Sequence, residues 1–180
     1  MISTGANQSN GFSIALLLNN DFTNNGFSFG SFANAGDGSR NGLAVAGLFL
    51  SAKNIRGIGV AGLWIIADTL KGIFLSVGIT GSGTRDIKMI KGFSIGIAGV
   101  GAEEISGFSI GGIGVGANKY KGILIGGMNK IEEMNGIQIG IFNKAKKLKG
   151  IQLGLINYVS NNPRLLRVLP IFNLNLKSKK

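Results

Sequence analysis

The chain has 180 residues, of which 44% are hydrophobic and 15% charged, and a net charge of +11. That is enough apolar material for a single ordered domain. The absence of Cys and His excludes disulfides, thiolate nucleophiles and Cys-based metal sites, together with the commonest general base and transition-metal ligand.

In chain order, residues 1–10 are polar and out of period, and they are expected to cap an array spanning residues 11–160. The first 20 residues carry no basic n-region and no unbroken apolar core, so they are not expected to act as a secretory signal. The array announces itself through Gly11, Gly26, Gly42, Gly57, Gly72, Gly92, Gly107, Gly122, Gly136 and Gly150, spaced by 15, 16, 15, 15, 20, 15, 15, 14 and 14 residues. These glycines belong to a total of 31, with no Gly-X-Y period, so the chain is not collagen-like. After almost every opening glycine, large apolar and small residues alternate, as in Phe93-Ser94-Ile95-Gly96-Ile97 and Ile137-Gln138-Ile139-Gly140-Ile141. Period two predicts a strand.

Each strand leads to a polar tip framed by two apolar columns. The smaller column holds Ala52, Ala67, Ala102, Ala117, Ile131, Ala145 and Val159; the larger holds Ile55, Leu70, Ile90, Ile105, Tyr120, Met134 and Leu148. Both are expected to face inward, with the charges between and beside them at a surface turn. The 20-residue unit after Gly72 carries about five extra residues, assigned to a loop around Gly81–Arg85. Apolar runs such as 57–67 and 92–102 end after about a dozen positions, short of the ~18 needed for a membrane helix. Residues 161–180 break the period again and are read as a C-terminal cap with a basic tail.

Two all-β architectures fit a repeated strand and turn. One is a single-stack parallel β-solenoid of about ten coils, with like positions stacked about 4.8 Å apart. The other is an up-and-down β-barrel, including one of the outer-membrane type. Charge favours the solenoid, because stacking turns the tip residues Glu104, Lys119, Glu133 and Lys147 into a column of alternating sign, with Lys53 over Asp68 as an earlier pair. Arg56 over Lys71 is a like-charge neighbour and counts the other way. Volume also favours it, since Ile137, Ile139 and Ile141 are expected to fill a slab between two sheets about 10 Å apart.

Motifs with chemical meaning are weak. The glycine clusters in 96–101 and 111–116 lack the helix that a phosphate-cradling loop requires. The acid pairs Glu103-Glu104 and Glu132-Glu133 sit beside lysines at the tips and read as solvated turn charges. No catalytic residue, cofactor site or metal site is assigned, and the chain is expected not to be an enzyme. The basic cluster Lys144, Lys146, Lys147 and Lys149 is a candidate polyanion contact, and residues 177–180 add further lysines. No recognised nucleic-acid module accompanies them, so specific nucleic-acid binding is not expected. One outward column, Leu48, Leu63, Met128, Phe142 and Ile156, is apolar and forms a candidate interaction face. Its partner would be a second copy, a protein or glycan at a surface, a lipid surface, or more of a longer chain.

The last units, 136–143 and 150–157, read G-Φ-Q-Φ-G-Φ-Φ-N with Φ apolar, and Leu169-Pro170-Ile171-Phe172-Asn173 follows. Over residues 122–176 this resembles the leptospiral-type bacterial surface repeat proteins. Upstream, Ser or Ala stands where the pattern has Gln. The resemblance implies placement at a bacterial envelope or surface, without enzymatic activity or a defined ligand. The expectation from sequence is therefore a non-enzymatic surface scaffold for structure, adhesion or interaction, with an outer-membrane barrel and a basic polyanion-binding module as alternatives.

Overall fold

The computed structural model describes residues 3–81 and 88–176. It is a β-solenoid of about nine turns rather than a barrel, which removes the up-and-down alternative. Adjoining coils run parallel in unbroken register: Gly92 lies between Gly72 and Gly107, Phe93 between Ile73 and Phe108, and Ile90 between Leu70 and Ile105. One strand, Gly99–Ile139, winds through several coils without interruption. The ten opening glycines form a corner, each with a positive φ, from 94° at Gly11 to 146° at Gly150. A Cβ at Gly107 would lie 2.1 Å from the Gly92 carbonyl oxygen, so both φ and space demand glycine there. The extra residues after Gly81 do not disturb the stack. Lys88 resumes the register by donating its amide to the Asp68 carbonyl at 3.0 Å. Residues 82–85 of the expected loop lie outside the described residues.

Both tip columns face inward as expected. Ile55, Leu70 and Ile90 are completely buried, and Ala52, Ala67, Ile131, Ala145 and Val159 are buried beside them. The strand after each opening glycine is inverted relative to expectation. Ile137, Ile139 and Ile141 point outward, and the residues between them, Gln138 and its counterparts Ser94, Ser109, Ala44 and Leu124, point inward and are buried. The reason is volume. A coil of 14–16 residues encloses a narrow interior, and the larger tip column already fills most of it. What remains accepts a hydroxyl or a methyl, or a large side chain only where a neighbour gives way. The Phe74 ring takes the room left by Gly59, whose added Cβ would sit 2.9 Å from Phe74 Cδ1.

The core is apolar in its middle and polar towards both ends. One inward column reads Asn19, Asn34, Leu50, Ile65, Thr80, Val100, Val115, Asn129, Asn143, Asn157, all buried. In the last three coils the asparagines form a ladder. Asn129 Nδ2 donates to Asn143 Oδ1 and Asn143 Nδ2 to Asn157 Oδ1, each at 2.9 Å. The same amides reach the Gly126, Gly140 and Gly154 carbonyls at the bend of their own coil. Beside them Gln152 Nε2 donates to Gln138 Oε1 at 3.0 Å.

The ends differ from each other. The segment expected to cap the N-terminus continues the solenoid instead. Ser3 pairs with Leu18, Gln8 with Thr23, and the Phe22 amide donates to the Ala6 carbonyl at 2.8 Å. The outer edge of Gln8–Ala15 has no paired neighbour among the described residues. At the other end a short helical turn, Arg164–Leu166, reverses the chain, and Val168–Asn175 pairs antiparallel with Phe142–Val159, Ile151 facing Leu174 and Leu153 facing Phe172. This strand closes the last parallel coil, with Asn173 buried beneath it.

Candidate interaction surface

The inversion of the first strand defines the surface. One and three residues after every opening glycine stand twenty side chains in two columns, from Phe12 and Ile14 to Ile151 and Leu153, and each is Phe, Leu, Ile or Val. All point outward. Even in mid-stack, with rungs above and below, Ile58, Ile73 and Ile123 keep 42%, 43% and 39% of their surface exposed. Leu174 and Phe172 of the final antiparallel strand extend the columns by one rung. Aromatic neighbours stack along them, Phe93 on Phe108 at 5.2 Å with rings 6° from parallel.

Leu48, Leu63, Met128, Phe142 and Ile156 all lie at the bend that ends this strand, but in two adjacent columns rather than the one expected: Leu48 and Leu63 stack on each other, whereas Met128, Phe142 and Ile156 continue the column of Phe49 and Trp64. Leu63 donates its amide to the Leu48 carbonyl at 2.9 Å, Met128 lies in register with Phe142, and Ile156 donates to the Ile141 carbonyl at 3.0 Å. They are the margin of a much larger apolar face. Sequence reasoning missed the rest by assigning the strand's large side chains to the interior. A usable signal existed in the neighbouring position, which changes from Ser to Gly to Phe to Leu between coils, as interior positions do when neighbours compensate in volume.

At the other margin, the residue before each opening glycine forms a ribbon. Arg56, Lys71 and Lys91 stack directly on one another, and Lys121 and Lys149 follow further along, all five exposed. The like-charge neighbours noted in the sequence are thus the start of a ribbon that contains no acid. The acids among the described residues lie elsewhere, ten to twelve residues after the opening glycines, at the tips. Three of them pair with a stacked lysine: Glu104–Lys119 at 3.1 Å, Glu132–Lys146 at 2.5 Å and Glu133–Lys147 at 2.6 Å. The hydrogen bond and charge of Lys147 hold the Glu133 carboxyl below its ordinary range and raise the Lys147 ammonium in return. These exposed pairs add little stability, and their alternation is the one expected.

The basic cluster at 144–149 is not a single patch. Lys146 and Lys147 are committed to Glu132 and Glu133, Lys149 belongs to the ribbon, and Lys144 lies over the Tyr158 ring at 5.6 Å beside the apolar margin. A groove of about 700 Å³ runs between ribbon and tips, lined by Lys91, Lys119, Lys121, Lys147 and Lys149 with Glu104 and Glu133. Tyr120 is buried in its floor and donates to the Ile123 carbonyl at 2.8 Å; burial pushes its hydroxyl up to about 12. A second groove of about 400 Å³ follows the bend, with Met128, Phe142 and Ile156 beside Lys130 and Lys144.

A buried ionic cluster lies in the first coils. Burial opposes ionisation of Asp21, but the hydroxyls of Ser13 and Ser9, the Ala6 amide and the charge of Arg40 together hold its carboxyl below the usual range. Arg40 is also buried, which lowers its guanidinium to about 10, and it donates to the Ala35 and Asp21 carbonyls. These groups lie in the interior and tie adjoining coils together. Among the described residues no cluster of His, Cys, Asp or Glu could hold a metal ion. The glycine clusters at 96–101 and 111–116 are ordinary rungs of the stack. Comparison of the chain with family models, with curated proteins and with solved structures finds no match.

Proposed function

We propose that the protein is a non-enzymatic scaffold that docks, through its long apolar face, onto a partner at a surface. The single observation that carries this reading is the face itself: twenty outward positions, two on each of ten successive rungs, filled by large apolar residues on one side of a rod. Monomeric soluble proteins rarely leave so extensive a contiguous patch uncovered. Ten rungs about 4.8 Å apart and a strand about 16 Å wide between its corners give roughly 800 Å², the area one side of a standard protein interface buries. The resemblance of residues 122–176 to leptospiral-type surface repeats agrees with display at a bacterial envelope. Fractionation of cells producing the protein tests the reading. Recovery with the envelope, shifting to the soluble fraction when Ile95, Ile110 and Ile125 are all changed to Ser, is the expected result. Recovery of the unaltered protein wholly in the soluble fraction refutes it.

The groove between ribbon and tips supports a second reading, contact with a polyanion. It predicts retention on heparin that weakens as salt rises, because displaced counterions drive such binding. Salt-independent retention, or none, removes it.

A further inference from the structure

We infer that the apolar face is occupied by an anionic lipid surface, onto which the rod lies flat with its cationic ribbon against the headgroups. This inference rests on the docking role proposed above and names its partner.

Two independent observations point to it. The first is the distribution of charge around the face. Its glycine-corner margin carries Arg56, Lys71, Lys91, Lys121 and Lys149. The bend margin carries Lys130 and Lys144. No acid among the described residues lies on the face or on either margin. Arg56, Lys71 and Lys91 stand on successive rungs about 4.8 Å apart, an arrangement that repels itself unless an anionic partner compensates it. The tips of the later coils show what compensation within the chain looks like: there Glu and Lys alternate and pair. The ribbon has no such pairing and points to an external source of negative charge.

The second observation is the form of the surface. It is a regular ladder with apolar columns at its centre and long cations at both edges. A lipid boundary demands this order, with apolar side chains sunk below the headgroups and lysines reaching up to the phosphates. A second copy of this chain would bring another +11 molecule with its own acid-free ribbons against the first. A protein interface would also need complementary relief, whereas a fluid bilayer conforms to the face it meets. Lipidation is not required, since an apolar area of this size combined with several basic residues supplies the two signals that stable surface attachment needs.

Sedimentation of the full chain with vesicles of phosphatidylcholine containing phosphatidylglycerol, against vesicles of phosphatidylcholine alone, is the test. Trp64, the single tryptophan, is 43% exposed next to Phe49 at the bend and serves as a fluorescence reporter. Binding to the anionic vesicles with a blue shift of Trp64 is expected, with much weaker binding to the neutral ones. Each ribbon cation should contribute about fivefold in affinity. Changing Lys71, Lys91 and Lys121 together to Glu should then weaken binding by roughly a hundredfold or more. Reversing Lys53, Lys119 and Lys147 at the tips makes the same change in net charge and should cost far less. Ile97→Ser with Ile113→Ser and Met128→Ser removes apolar contact at positions already more than half exposed. It should lower binding while melting temperature and β-sheet circular dichroism stay unchanged.

Equal binding to neutral and anionic vesicles overturns the inference, as does equal weakening by the ribbon and tip reversals. No vesicle binding together with a dimer that the Ile97/Ile113/Met128 variant dissociates also overturns it, and leaves the docking role standing with a second copy as partner. No vesicle binding by a chain that stays monomeric at high concentration, and whose envelope recovery the face variants leave unchanged, removes both.

Discussion

Asn143 is the position where the structure makes its sharpest statement about stability. Its Nδ2 donates to the Gly140 carbonyl at 3.2 Å, the Leu153 carbonyl at 2.8 Å and Asn157 Oδ1 at 2.9 Å, while its Oδ1 accepts from Asn129. In Asn143→Ala, Leu153 keeps the Gly140 amide as a donor and Asn129 keeps the Gly126 and Ile139 carbonyls. Asn157 Oδ1 loses the donor it shares with Asn143 and stays buried. The two ladder bonds, to Asn129 and Asn157, at about 1 kcal/mol each and one buried orphan acceptor at about 1–3 kcal/mol give a loss of about 3–5 kcal/mol. For a chain of this length that corresponds to a fall of about 10 °C in melting temperature. Because each coil touches only its neighbours, amide exchange should accelerate chiefly in residues 129–159. Replacing Asn129, Asn143 and Asn157 together by Val should cost much less than three times the single change. Whole-column replacement leaves no half-satisfied side chain, and the same column carries Leu50, Ile65, Val100 and Val115 in the middle coils. Thermal melts and hydrogen exchange on the single variant, the triple variant and Ile141→Ala, an exposed neighbour, decide it. If Asn143→Ala destabilises no more than Ile141→Ala, the ladder does not hold the last coils together.

Gly107→Ala should destabilise by about 3 kcal/mol or more, from its positive φ and the contact with the coil above. Gly116→Ala, with nothing near its added Cβ and no positive φ, should be neutral or stabilising by up to about 1 kcal/mol, and chemical denaturation distinguishes the two. Asp21 binds its proton more weakly folded than unfolded, so its contribution is complete above its ordinary value of 3.8 and is lost as pH falls through the lower folded value. In acid titrations of melting temperature the unaltered protein should therefore lose stability in that window, while Asp21→Asn, weaker at neutral pH, should lose less. Ile171 has a φ of 66° and is 74% exposed, a strained setting for a β-branched residue that packs little. Ile171→Asn should raise the melting temperature by a few degrees, having relieved about 1 kcal/mol of strain.

The sequence made the period, the strand direction and the rim of alternating charge readable, because each is carried by residues that repeat at the same place. The alternating sign of Glu104, Lys119, Glu133 and Lys147 discriminates a parallel stack from a meander, and the two tip columns face inward as their apolar residues indicate. The facing of the first strand was not readable from alternation, since period two specifies two faces without saying which is inside. The larger-is-inside rule failed there because the tip columns had already claimed the volume. The same inversion hid the main apolar face and reduced it to its margin at Leu48, Leu63, Met128, Phe142 and Ile156. The scattering of Lys144, Lys146, Lys147 and Lys149 was hidden by a corner between them that proximity in sequence does not reveal. Asn19 and Asn34 were not connected with the later asparagines because five coils without asparagine in that column separate them.

Each coil is hydrogen-bonded only to the one before and the one after, and this gives the molecule a mechanical character. A tether pulling on its two ends should unwind it one coil at a time, each step releasing 14–16 residues except for the 20-residue unit after Gly72, about 50 Å of extended chain for an ordinary coil. The rung Gln8–Ala15, paired on one side only among the described residues, is the natural place for peeling to begin, and the antiparallel strand Val168–Asn175 should let go last. Force spectroscopy would then record a regular sawtooth rather than one abrupt rupture. A rod of this kind yields gradually under shear and rewinds when the load is removed.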